Sequence, residues 1–246
     1  MSSEARYYKI IRSVVICLAS CVLFSGCGIA RDALLMQPSQ REFQRNYTHL
    51  TGEKIEELRQ EFGNNKIFVE EYIEATLIAL SFYPELLDSP IEFKYSKEAT
   101  TMAARPQPGS MLFKRRYVVV INNDPAFEGV KLSDVPFNAQ IGIIGHELAH
   151  IADYEQHNLF GVVGILFRYG SKARKPLFEK EIDLATIERG LGWQLFDWAQ
   201  FSLDEQNGAT EEYRKFKEEN YLSPDQIKQY IEFFARYGRA GQTHEK

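Results

Sequence analysis

The chain has 246 residues, 44% of them hydrophobic and 26% charged, the balance of a folded globular protein. That length suits one domain with appendages, and no fixed-period repeat or low-complexity tract runs through it. A net charge of -5 excludes a broad basic surface, so no nucleic-acid partner is expected.

The N-terminal segment is expected to lie outside the fold. Arg6, Lys9 and Arg12 form a basic region, and residues 14–24 form an apolar run of secretory length, too short for a comfortable membrane span. "LFSGC" follows, ending at Cys27. It resembles the lipobox of bacterial lipoproteins, with small Ser25 and Gly26 before the cysteine and Phe24 where Leu is usual. "LASC", ending at Cys21, fits the letters but leaves a short apolar run; an uncleaved anchor helix is the other reading. The resemblance implies a signal peptide at 1–26, a lipid on Cys27 and a tether over 27–50. With Gly28 after the cysteine it also implies the outer membrane of a Gram-negative envelope, facing the periplasm. All three cysteines, Cys17, Cys21 and Cys27, lie in this segment. Cleavage before Cys27 would leave neither a disulfide framework nor a cysteine metal ligand.

A folded domain is expected over 51–246. Thr51 can cap a helix reaching Phe62. Apolar residues at Ile67, Phe68, Tyr72, Ile73, Leu77, Ile78 and Leu80 predict a helix over 67–82, ended by Pro84, Asp88 and Pro90. "IEFKYS" alternates like a strand, "AARPQPGS" reads as a loop, and "RRYVVVINND" is the strongest strand pattern in the chain. "SDVPFNAQ" offers caps and a first-turn proline for the next helix, which carries "GHELAH". Pro176 can open a second long helix toward Phe201, weakened at Gly190 and Gly192. Ser223 and Pro224 begin a closing helix. Helices, a few strands, then helices spell α+β, without the alternation of a doubly wound sheet.

His146 and His150 stand four apart, so on a helix both imidazoles project from one face and can reach one metal ion. Glu147 lies about 100° round the helix, beside the ion and not on it, where it can take a proton from water. This is the physical content of H-E-x-x-H. The alternative is a core helix with two satisfied histidines, but Ile141, Ile143, Ile144, Leu148 and Ile151 make the face apolar and unpaired imidazoles costly there. Gly142 and Gly145 each cost roughly 1 kcal/mol against Ala in a helix, which fits either close approach of a neighbour or simple tolerance.

Zinc with an open catalytic position needs a third protein ligand. The metzincin pattern is excluded, because its glycine and third histidine positions are Asp153 and Gln156. His157 comes one residue late and reads as a surface histidine. Downstream, "FEKEIDLATIERG" places Glu179 and Asp183 four apart on one face. H-E-x-x-H followed by E-x-x-x-D resembles the gluzincin clan of zinc peptidases, and "GHELAH" with "EKEID" is most similar to the HtpX-like endopeptidases. The likeness covers residues 117–190, with Ile182 where the family has Ala. It implies a mainly helical zincin-like domain with a small sheet whose edge strand flanks the metal helix. It further implies His146, His150 and Glu179 as ligands of Zn2+, Glu147 as base, and Asp183 orienting a ligating histidine. Of the competing carboxylates, Glu181 sits about 200° from Glu179, and Asp153 lies about 10.5 Å along the helix from His146. "YVVVIN" can be the edge strand or an interior one. "NLFGVVGILFRYG" can form an apolar wall or lid near the site, or a membrane-touching loop. Tyr213, Tyr221 and nearby arginines are open candidates for the oxyanion donor.

The expected function is a lipid-anchored zinc endopeptidase acting on envelope proteins or peptides. The alternative is a zinc-binding envelope lipoprotein with an assembly or chaperone role. Cys27→Ala is expected to abolish labelling by a radioactive fatty acid and to release the chain from membranes. Unchanged labelling would move the modification to Cys21 or discard it.

Overall fold

The computed structural model describes residues 43–107, 110, 115–157 and 174–234. The expected signal peptide, Cys27, the first part of the tether and the segment 158–170 lie outside the described residues.

Helix α1 (Gly52–Phe62) starts as the sequence predicts, with the Thr51 hydroxyl accepting from the Lys54 N–H at 3.3 Å. The helix expected over 67–82 is shorter. Lys66–Ile67 forms strand β1, Glu70–Tyr72 is a 3-10 turn, and only Ile73–Leu80 is α-helix, here α2. Apolar spacing alone could not separate a two-residue strand from the helix that follows it.

Strand β2 (Ile91–Ser96) matches "IEFKYS". Strand β3 (Met102–Pro106) occupies the stretch read as a loop. Strand β4 (Tyr117–Asn122) is "YVVVIN", buried at every position. The sheet order is β1-β2-β4-β3. β2 runs parallel to β4 with Ile91 opposite Tyr117, and β3 runs antiparallel to β4 with Ala104 opposite Val119. "YVVVIN" is therefore interior, as its unbroken β-branched run suits. The edge belongs to β3. Proline and arginine hid that strand, yet an edge tolerates a residue that donates no hydrogen bond.

Helix α3 (Phe137–Gln156) carries "GHELAH". Pro136 stands at its N-cap, and no side-chain cap is formed. Gln140 turns back instead, donating to the Val135 carbonyl at 2.9 Å. The second long helix is broken as its glycines suggest. Helix α4 (Lys175–Thr186) passes through a π-turn at Ile187–Leu191 into α5 (Gly192–Leu203), and Gly190 takes φ 111° at the bend. Helix α6 (Glu211–Asn220), capped by Thr210, is an element the sequence reading did not single out. Helix α7 (Pro224–Phe233) has a capping box between Ser223 and Gln226. Among the described residues no helix is long and apolar enough to cross a membrane.

Helix α3 is the central element, packed on α2, α4, α5 and β3. Fourteen of its residues are buried, including Ile141, Ile144, Leu148 and Ile151. Its contact with α5 is set by Gly142, where a Cβ would be driven into the Gln194 carbonyl. Close approach thus explains that glycine.

Residues 43–50, read as tether, dock onto this framework. Phe43 is buried against Gly190, and Arg45 grips Asp197 with two hydrogen bonds of 2.9 and 2.7 Å. The Tyr47 N–H donates to Asn138 Oδ1 at 2.9 Å. Phe43, Arg45 and Tyr47 face inward while Gln44, Asn46 and Thr48 are exposed, an alternation that shows no helical period.

Gly142→Ala gains roughly 1 kcal/mol of helix propensity but forces two backbones apart, which costs about 3 kcal/mol. The expected net is a loss of about 2 kcal/mol, read from urea unfolding. A variant more stable than the parent would show that the contact has slack.

Candidate metal centre

Helix α3 delivers His146 and His150 one turn apart, with ring centroids 4.9 Å apart. Both rings are buried, at 4% and 5% exposure. Helix α4 crosses this face and inserts Glu179, exposed by 1%. One Glu179 oxygen lies 3.2 Å from His146 Nε2 and 3.4 Å from His150 Nε2. The ligand atoms of the three residues all fall within 4.8 Å of one another.

One turn further along α4, Asp183 reaches the far side of the first histidine. Its Oδ1 is 2.8 Å from His146 Nδ1, and its Oδ2 accepts the Leu222 N–H at 2.9 Å. An ionised Asp183 accepts the Nδ1 proton, and that tautomer leaves the Nε2 lone pair directed at Glu179. The residue order E-x-x-x-D thus places one carboxylate on each side of one imidazole.

Which atoms donate at this point depends on the protonation of the two imidazoles. Two imidazole lone pairs and a carboxylate oxygen repel one another unless a proton or a cation lies among them. Burial opposes charge on His146, but hydrogen bonds to Asp183 and Glu179 outweigh it and raise its pKa to about 10. Burial likewise favours neutral Glu179, yet His146 and His150 hold its carboxyl far below the usual carboxylate range. Among the described residues the buried carboxylates Glu147, Glu179 and Asp183 have one buried ammonium near them, Lys217, which leaves two negative charges unbalanced when all three are ionised and both imidazoles are neutral. A bound metal ion could supply that balance. The donor set also suits a first-row ion, since imidazole nitrogen and carboxylate oxygen are ordinary ligands for one. This buried group can hold a metal ion.

Glu147 stands beside the group. Burial raises its pKa, partly offset by the two histidines and by the Ala104 N–H that reaches its carboxylate. Its Oε2 is buried with no hydrogen-bond partner among the described residues, and His150 Nδ1 is in the same condition. An unpartnered buried carboxylate oxygen next to a cation pocket is the place for a polar guest such as water.

The other sequence candidates are placed as follows. Glu181 is exposed on the outer side of α4. Asp153 is half-buried, with His157 Nδ1 3.8 Å from its Oδ1, and does not join the converging group. His157 is the C-cap of α3. Tyr213 is committed elsewhere, its hydroxyl 2.9 Å from Thr101 Oγ1. The Tyr221 ring lies against His146, with centroids 5.6 Å apart. Lys217, the Leu222 N–H and the Ala104 N–H were missed. The last two are backbone groups without a sequence signal, and Lys217 has the look of a surface residue in a polar helix.

No protein-family model, curated protein or solved structure matches the chain.

Glu179→Ala is expected to lose the bound ion, because the third of three protein ligands is gone. Glu181→Ala, on the opposite side of α4, is expected to keep it. Zinc content after reconstitution and desalting checks both. The reverse order would show that the register of α4 is misread.

Proposed function

We propose that the protein is a zinc-dependent endopeptidase that hydrolyses peptide bonds in extended segments of envelope proteins. The observation that carries this reading is Glu147, a buried carboxylate beside the His146–His150–Glu179 group with an oxygen left unpartnered. A purely structural metal site has no use for a base in that position.

Zinc, when bound, is a Lewis acid that acidifies water and polarises a carbonyl. The residues supply the rest. Asp183 holds the His146 tautomer, and the Leu222 N–H holds Asp183. Burial makes Glu147 a stronger base than an exposed carboxylate, so it can take a proton from the attacking water at neutral pH. The same carboxyl can then hand that proton to the departing amine. The Ala104 N–H fixes the Glu147 carboxylate, which limits the directions its free oxygen can take.

The sheet edge favours a peptide as substrate. The Asn122 N–H donates to the Thr101 carbonyl at 3.0 Å and the Gln107 N–H to the Arg116 carbonyl at 2.7 Å, so odd-numbered residues of β3 face β4. Met102, Ala104 and Pro106 therefore turn their backbone groups outward. Glu147 meets the Ala104 N–H on that outer side, where an added strand would run. Thr100 Oγ1 covers the Met102 carbonyl at 2.6 Å, and Pro106 has no N–H. The carbonyls of Ala104 and Pro106 are left to accept two amides from an extended chain. Backbone pairing of this kind makes little demand on sequence.

The lipid on Cys27 and the place in the envelope belong to the same proposal and rest on the "FSGC" motif. A zinc-binding lipoprotein with an assembly role remains the outcome to expect from a protein that binds zinc and cleaves nothing.

Glu147→Gln is expected to keep zinc and to lose roughly 10³-fold in turnover of casein or an envelope protein, since a base is removed and no ligand is touched. Retained hydrolysis in this variant would reject Glu147 as the base.

A further inference from the structure

Lys217 is a charged residue of α6 with only 8% exposure. Two aromatic faces hold its ammonium, Tyr221 at 3.6 Å and Trp198 at 5.0 Å from the ring centroids. Burying a cation is expensive, and cation–π contact offsets only part of the lost hydration. What lies beyond the rings completes the account. Lys217 and Asp183 line the same narrow cavity of about 20 Å³, together with Ser202 and Tyr221. That is room for one water between ammonium and carboxylate. The charges of Asp183, Glu179 and Glu147 all act on Lys217, although burial still pulls its pKa down to about 8. The Tyr221 ring has the ammonium over it and the His146 ring beside it.

We propose that Lys217 is a positioning residue of the metal centre, whose buried ammonium balances the carboxylates of Asp183, Glu179 and Glu147 in the metal-free fold and, by repulsion, weakens the hold on the ion. The proposal rests on ion binding by His146, His150 and Glu179, and not on peptidase activity. Its sign separates it from a packing role. A residue that only packs α6 against the site lowers metal affinity when it is removed. A residue that repels the ion raises it.

Lys217→Met keeps the apolar stem between Trp198 and Tyr221 and deletes the charge. In the full-length protein, zinc affinity is measured by competition with a chromophoric chelator, and melting is followed with and without zinc. Affinity is expected to rise about tenfold or more. The metal-free variant is expected to melt earlier than wild type by a wider margin than the zinc-loaded one, as linkage requires. Unchanged or weaker zinc binding, with equal losses of melting temperature in both states, would overturn the proposal. If Lys217→Met does not fold, Lys217→Gln is titrated under the same criterion. Failure of both to fold in excess zinc also overturns it, because the cost is assigned to the metal-free state. Absence of zinc binding by wild type would sink the metal centre itself, and this proposal with it.

Discussion

Two imidazole nitrogens and a carboxylate oxygen meet in a buried pocket, and that constraint organises the molecule. His146 Nε2, His150 Nε2 and a Glu179 oxygen tolerate one another only with positive charge among them. Asp183 adds a further carboxylate behind His146, and its own second oxygen is tied to the Leu222 N–H. The junction between α6 and α7 is thereby recruited to hold a side chain of α4 against a side chain of α3. Elements distant in sequence share one electrostatic problem. Hydrophobic burial brings α3, α4 and α5 together, but the polar centre specifies their register, because a shift of one residue would strand a buried charge.

The backbone serves the same end. Gly142 lets α5 approach α3 to the point where a methyl group would strike the Gln194 carbonyl. Gly190 permits the kink at which the chain passes from α4 into α5 through a π-turn. At that kink the helix that carries Glu179 and Asp183 gives way at once to the helix packed on α3. The two glycines make room for different neighbours, Gly142 for the α5 backbone and Gly190 for the ring of Phe43.

Much of this centre was legible because helical spacing is rigid. The four-residue spacing from His146 to His150, and again from Glu179 to Asp183, determines which side chains share a face before any tertiary contact is known. The α+β class followed from strand and helix patterns of ordinary strength. What escaped was set by context. Ala104 contributes through its N–H, which every non-proline residue owns. Lys217 looks solvent-exposed in a helix as polar as "EEYRKFKEEN", and its burial depends on Trp198 and Tyr221 arriving from other parts of the chain. Strand β3 was masked by Arg105 and Pro106, whose poor strand propensity matters less at a sheet edge. Residues 43–50 looked like linker because their anchors alternate along an extended segment with no partner in sequence.

That docked segment has a geometric consequence. Phe43 and Arg45 fasten the chain to the α5 region, so the described fold reaches back to Phe43 and does not begin at Thr51. If Cys27 carries the proposed lipid, it stands roughly 16 residues before Phe43, and even a fully stretched peptide of that length spans no more than about 55 Å. On that proposal the His146–His150–Glu179 group would stay within a shell next to one bilayer. Its clients would be sorted by altitude above the lipid headgroups as much as by their side chains.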